Sequence, residues 1–364
     1  MANKIRVGVL FGGRSCEHEV SVKSARSVLE AIDKDKYEVT MIGISKEGRW
    51  LVAGDALKVL QVGVVEGEDL LPVLLDYPGG KGLVAQDPGG MSQELDVIFP
   101  LLHGPYGEDG TVQGLLELAG VAYVGAGVLG SAVGMDKEMM KRAFRAEGLP
   151  QVDYLVVRRK RWESEPEAVQ REVEARLPYP FFIKPVNLGS SVGVTKAHDG
   201  EEFCRGMDEA ALYDNKIIIE ADARDCREVE CSVLGNENPR ASVVGEVVPG
   251  NEFYDYNAKY IDDNSTLTIP AHLKPQTTER VQQLALEAFR TVEAAGLARV
   301  DFFVRRQDEY VYINEINTIP GFTPISMYPK LWEASGIGYG DLIDRLIQLA
   351  LERRADQQNI RTVL

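Results

Sequence analysis

Apolar and polar positions recur in two different periods along the first third of the chain. Residues 5–11, Tyr37–Ile44 and residues 97–102 read as β-runs, whereas residues 21–32 carry Val22, Ala25, Val28, Leu29 and Ile32 on one helical face. Strand, one-sided helix and strand in succession predict a parallel sheet of βαβ units. A helix over Thr111–Ala119 and a strand over residues 121–124 close this part, and the Gly- and Pro-rich residues 59–91 read as an irregular insertion or hairpin at the sheet edge.

Beyond Asp136 the texture changes. A helix over residues 136–147, a strand over 154–157 and a charged helix over 164–176 lead into two short strands, 181–184 and 192–196. Ser164 followed three residues later by Glu167 is the capping-box pattern that opens the charged helix. This small α+β unit ends near Tyr213. Strands at 216–220, 228–234, 241–248 and 266–269 follow, then a helix over 277–295 stopped by Gly296, strands at 298–304 and 310–314, and a last helix over 340–353. The expected class is α/β followed by α+β, with domain limits at 1–125, 126–213 and 214–364.

Composition narrows the classes. The 364 residues are 45% hydrophobic and 26% charged, as in ordinary globular chains and unlike disordered or collagen-like ones. A net charge of −16 repels nucleic-acid backbones and anionic lipid, so neither is an expected partner. Cys16, Cys204, Cys226 and Cys231 form no Cys-x-x-Cys pair, so the cysteines indicate neither a disulfide scaffold nor a zinc site, and a reducing cytoplasm is expected. No secretory signal is visible before the first strand. Residues 118–135 carry no charge but five glycines, which suits strand, loop and helix start better than a membrane span.

The C-terminal strand pair carries the clearest chemistry. Strand alternation puts Arg299 and Asp301 on one face, and Glu315 and Asn317 on one face. Two carboxylates and an amide oxygen on adjacent strands make a hard-oxygen site suited to magnesium, with Arg299 beside it. Lys184 ends an apolar run and precedes a Gly- and Ser-rich turn, residues 187–194, whose backbone N–H groups can cradle phosphate. That turn joins two strands and lacks the Gly-Lys-Ser/Thr order of a Walker loop. Near the start, glycines 12 and 13 precede Glu17 and Glu19, acids able to pair a small zwitterion's ammonium, and His103 follows a strand at its carboxyl end, where open sheets bind ligands. Residues 125–130 spell G-x-G-x-x-G. A dinucleotide role for them is disfavoured, because Asp153 precedes its strand instead of ending it and the helix is expected near Asp136, after the glycines.

Six ordered segments together resemble the D-alanine–D-alanine ligases of the ATP-grasp superfamily from about residue 5 to residue 349: residues 11–21, 102–110, 135–137, 184–193, 253–260 and 314–323. The resemblance implies an ATP-grasp fold with an N-terminal Rossmann-like domain, and ligation of two D-alanine molecules for peptidoglycan synthesis. It implies ATP contacts from Lys137, Lys184, Ser190, Ser191, Glu220, Glu228, Lys259, Asn314 and Glu315, with Glu228 on the ribose. Asp301, Glu315 and Asn317 would bind two magnesium ions, manganese being an alternative. Glu17, His103, Lys259, Arg299, Gly321, Ser326 and Met327 would surround the amino acids; Ser190 and Tyr260 would close the site with Glu17. An oxyanion would be met by Arg299 and the Gly321 N–H, a flap around residues 253–260 would exclude water, and Tyr260 would favour an amine over an alcohol as nucleophile. Ala221 stands where a Lys or another polar residue is the commoner pattern beside adenine. A homodimer is expected. The alternatives are an ATP-grasp carboxylase or another ATP-grasp carboxylate–amine ligase, a D-alanine–D-lactate or D-serine ligase, and a non-catalytic nucleotide-dependent scaffold.

Overall fold

Apolar strands covered on both sides form the floor of the N-terminal part. The computed structural model describes residues 4–53, 70–75, 82–85, 92–248 and 266–361. Strand β1 (Ile5–Gly12) lies between β2 (Tyr37–Ile44) and β7 (Val97–Pro100), all parallel, with Val7 opposite both Val39 and Val97. Helix α1 (His18–Ala31) turns Val22, Ala25 and Val28 into the core, and β8 (Ala122–Tyr123) extends the parallel edge after α2 (Thr111–Ala119). At the other edge β3 (Trp50–Ala53), β4 (Leu70–Leu75), β5 (Gly82–Ala85) and β6 (Ser92–Glu94) add antiparallel strands, completing an eight-stranded sheet. The expected edge insertion is thus in part a continuation of the sheet; its remainder lies outside the described residues.

The glycine motif opens directly into α3 (Val128–Met135), correcting the expectation of a later helix start. Asp136 instead caps α4 (Lys137–Ala146), its carboxylate accepting from the Met139 N–H at 3.0 Å. The third glycine serves packing: a Cβ on Gly130 would stand 2.5 Å from the Glu293 carbonyl oxygen. The following strand β9 (Tyr154–Arg158) does not return to the first sheet, so no dinucleotide crossover forms.

β9 joins β10 (Phe181–Pro185), β11 (Thr195–Ala197) and β12 (Lys216–Ala221) in an antiparallel sheet of order β11-β10-β12-β9. Assigning the strand at 216–220 to the C-terminal part is therefore corrected by its pairing, Ile219 opposite both Ile183 and Leu155. The charged helix splits into α5 (Arg159–Ser164) and α6 (Pro166–Glu174), because Pro166 has no N–H to continue a helix and starts one readily. Ser164 ends the first piece, its hydroxyl donating to the Arg161 carbonyl, and the expected capping box does not form. Helix α7 (Gly200–Tyr213) covers this sheet.

The third sheet has the order β15-β14-β13-β16-β17, from β13 (Cys226–Gly235), β14 (Arg240–Val248), β15 (Thr266–Thr268), β16 (Gly296–Arg305) and β17 (Val311–Asn317). Helix α8 (Pro275–Thr291) packs Val281, Leu284, Ala285, Ala288 and Phe289 against it; Gly296, at φ 73°, opens β16 and does not stop the helix. After α9 (Met327–Ala334), α10 (Tyr339–Gln358) lays Leu342, Ile343, Leu346 and Ile347 into the core of the first sheet with Val7, Phe11 and Val97. Among the described residues, no helix is long and apolar enough to cross a membrane.

The C-terminal helix therefore completes the N-terminal core. Leu346 is 0% exposed, so Leu346→Ala is expected to cost about 2–5 kcal/mol in urea unfolding. Leu212, 74% exposed, should change stability by no more than about 0.5 kcal/mol when made Ala.

Candidate active site

The strand pair β16–β17 builds one wall. Asp301 opposes Glu315 and Arg299 opposes Asn317, whereas Phe302 opposes Ile313, leaving Asn314 as the extra residue of a bulge. The bulge reverses the alternation, so Val311 and Ile313 enter the core while Glu315 and Asn317 stay on the cavity side. Arg299 forks onto Asp301, with Nε and Nη2 each 2.7 Å from a carboxylate oxygen. Its Nε also lies 2.9 Å from Glu230 on β13, and Asn317 Nδ2 donates to Asp301 at 3.1 Å. Burial opposes the Arg299 charge, but Asp301 and Glu230 outweigh it and hold the guanidinium protonated.

The middle sheet supplies the opposite wall. Lys184, at the end of β10, donates to Glu220 Oε2 at 2.6 Å, and the buried Lys141 lies 3.2 Å from Glu220 Oε1. Lys137 Nζ donates to the Leu188 carbonyl at 2.8 Å and stands 3.8 Å from Glu315. In the turn after β10, Ser190, Ser191 and Gly193 take φ of 49°, 59° and 68°, the left-handed backbone of an anion-cradling turn. Its Ser190 hydroxyl donates to Glu17 Oε1. A Cβ on Gly189 would stand 3.1 Å from Glu17 Oε2, so glycine permits this approach.

Glu17 is buried at the N-terminus of α1, where the helix favours negative charge. Nearby, His103 Nδ1 donates to the Ile319 carbonyl at 3.1 Å, and its buried Nε2 has no hydrogen-bond partner among the described residues. Burial pushes the imidazole pKa down, with Glu17 opposing in part. Glu108 accepts from the Gly104 N–H at 2.9 Å, and burial followed by the Glu17 charge pushes its carboxyl up to about 8. Beyond β17, the Ser326 hydroxyl accepts from the Thr323 N–H at 3.1 Å, and a Cβ on Gly321 would meet that hydroxyl at 3.1 Å.

These walls enclose two adjoining cavities. The larger, about 400 Å³, runs between Phe182, Lys184, Ala221, Glu228 and Phe303. The smaller, about 260 Å³, is bounded by Glu17, His103, Glu108, Arg299, Gly321, Ser326 and Met327. Both are lined by Lys137, Gly189, Ser190, Glu230 and Glu315, which form their common boundary. Ser191, Glu220 and Asn314 line the larger, and Asp301 does too, while Asn317 lines the smaller. Of the expected site residues, Lys259 and Tyr260 lie outside the described residues, as does the flap 253–260. No group of three or more His, Cys, Asp or Glu side chains suited to a metal occurs among the described residues. Sequence reasoning missed Glu108, Glu230 and Lys141. The loop carrying His103 contains Glu108, and Glu230 sits two residues after Glu228, so position pointed to both while nothing announced that Glu230 is buried and Glu108 half-buried.

Glu108 makes a pH prediction. Its folded pKa is raised, so its stabilising contribution is complete below the ordinary carboxyl range and fades as pH rises toward about 8. Melting curves from pH 5 to 8.5 should show Glu108→Gln losing about 2–3 °C less than the parent across that span.

Comparison with known proteins agrees with this architecture. The family model described as D-ala D-ala ligase N-terminus matches residues 6–126, and that described as D-ala D-ala ligase C-terminus matches residues 143–348. The chain is 50% identical over 354 residues to the D-alanine–D-alanine ligase of Natranaerobius thermophilus, covering 97% of each chain. It is 49% identical over 362 residues to that of Geobacillus kaustophilus, covering 98% of this chain and 97% of the relative. The solved D-alanine–D-alanine ligase of Coxiella burnetii superposes with a TM-score of 0.84 at 38% identity, over 98% of this chain and 97% of that one. The VanG D-Ala:D-Ser ligase of Enterococcus faecalis gives 0.86 at 34% identity, over 96% of this chain and all of that one (100%). With both family models matched across its two parts and close relatives along nearly its whole length, the chain belongs to the D-alanine–D-alanine ligase family and has its ATP-grasp fold.

Proposed function

We propose that this protein uses ATP to join two D-alanine molecules into D-alanyl-D-alanine through an acyl phosphate, for peptidoglycan synthesis. The observation that carries the reading is the shared boundary of the two cavities: a nucleotide-sized space and a smaller acid-lined space meet at Lys137, Ser190 and Glu315. In this reading Lys137 and Lys184 hold the triphosphate, Ser190 and Ser191 close over it, and Glu228 takes the ribose. Glu17 pairs with the ammonium of the first D-alanine and so aims its carboxylate at the boundary.

A carboxylate oxygen of that D-alanine attacks the γ-phosphorus; the bond to the bridging oxygen breaks and ADP leaves. Asp301, Glu315 and Asn317 offer the hard-oxygen donors that magnesium or manganese prefers, and two such ions would neutralise phosphate charge when bound. The second D-alanine, its carboxylate near Ser326 and Lys259, then attacks the acyl carbon as a free amine. Arg299 and the Gly321 N–H meet the oxyanion, after which inorganic phosphate departs. Burial, which lowers the His103 pKa and pushes Glu108 up to about 8, works against a cation at His103 that would compete with the ammonium for Glu17 and against an anion at Glu108 that would compete with Glu17 for the ammonium.

The test is phosphate release with ATP and magnesium across a panel of D-amino and D-hydroxy acids. D-Alanine should give the highest rate; bicarbonate-dependent or D-serine-selective release would favour another ATP-grasp ligase, and no substrate-dependent release would favour a scaffold. Glu315→Ala should lower turnover by about 10²-fold or more while leaving the melting temperature nearly unchanged.

A further inference from the structure

Lys141 is a charged residue that lines neither cavity. It lies on α4 one turn after Lys137, is 1% exposed, and has its ammonium 3.2 Å from Glu220 Oε1. Lys184 holds the other oxygen of the same carboxylate at 2.6 Å, and Glu220 itself is 3% exposed. Tyr154 pairs across the sheet with Glu220, its ring 5.6 Å from the Lys141 ammonium. Two lysines therefore share one carboxylate in a space where desolvating a cation is costly.

Only one of the two lysines reaches a cavity. In the reading above, on which this inference rests, Lys184 serves the nucleotide's phosphates. Its ammonium carries three N–H donors, and whatever share of its charge and donors the phosphate oxygens take is withdrawn from Glu220. Were it the sole partner, that withdrawal would leave a buried carboxylate undercompensated, which would either hold the lysine back or take up a proton. We infer that Lys141 is a positioning residue that keeps Glu220 ionised and paired when Lys184 turns to the phosphates, freeing Lys184 for the nucleotide at no cost in protonation.

The charges around the carboxylate pull in opposite directions on its partners. Burial favours the protonated form of Glu220, but Lys141 and then Lys184 reverse this and hold it down to about 2. Burial and the like charge of Lys184 push Lys141 down, while Glu220 supports its charge; Lys184 also feels Glu315 and Glu228. Among the described residues, the titratable groups seen against Glu220 are Lys141 from α4, Lys184 from β10 and Tyr154 from β9.

The experiment is calorimetric titration of the full-length protein with a non-hydrolysable ATP analogue and magnesium, in buffers of different ionisation enthalpy, near pH 7.5. Lys141→Met should bind the analogue about tenfold more weakly than the parent, take up close to one extra proton per nucleotide, and tighten as pH falls. Lys141→Arg should restore both affinity and proton count. The double variant Lys141→Met with Glu220→Gln should fold and show no extra uptake, even if the single variant does not fold. An unchanged proton count in a folded Lys141→Met, or extra uptake or misfolding in the double variant, would overturn the inference. Lys184→Met separates the two readings: unaltered analogue binding there would overturn the phosphate assignment itself, whereas weakened binding with no Lys141 effect would overturn only the role of Lys141.

Discussion

Two anions must be brought into contact without water between them, and the placement of charge around that contact governs the rest of the site. At about 4 Å and an effective dielectric near 20, each pair of like unit charges repels by roughly 4 kcal/mol, and a triphosphate facing a carboxylate presents several such pairs. The chain as a whole makes this harder, with a net charge of −16. Its answer is a few cations, each held by an acid: Lys184 on Glu220, Arg299 on Asp301 and Glu230, and Lys137 beside Glu315. Asp301, Glu230 and Glu315 hold Arg299 and Lys137 in place before substrate arrives, so these two donors need little reorganisation as charge develops.

Holding such a cluster requires all three sheets. The turn after β10 reaches α1 through the Ser190–Glu17 hydrogen bond, and His103 at the end of the first sheet reaches the loop after β17 through the Ile319 carbonyl. The last helix returns to cover the first sheet, and Arg353 on it donates to the Tyr123 and Gly125 carbonyls where that sheet gives way to the glycine loop. The small cavity is thus a product of packing between distant parts of the chain, and its depth comes from the same burial that shifts His103 and Glu108.

Much of this was legible in order along the chain, because strands and one-sided helices announce themselves through periodicity and the lysine-and-glycine turn through composition. What escaped needed three dimensions. Strict alternation through residues 311–317 would put Val311, Ile313, Glu315 and Asn317 on one face; the bulge at Asn314 separates them, and no local residue signals it. The capping pattern at Ser164 lost to Pro166, whose missing N–H breaks the helix one residue later. Residues 216–221 look like any β-run, and only cross-strand pairing assigns them to the middle sheet. Lys141 draws no reading from the sequence, because a lysine on a charged helix carries no local mark of burial, although Lys137 and Lys141 at i and i+4 share a face that turns inward.

The central claim is that a D-alanine carboxylate meets the γ-phosphate at the wall common to both cavities. D-Alanine labelled with ¹⁸O in its carboxylate tests this most directly, with mass analysis of the phosphate released in single turnovers. The account predicts one labelled oxygen in each inorganic phosphate, carried there from the carboxylate through the acyl phosphate. Phosphate whose added oxygen comes from solvent water would contradict it.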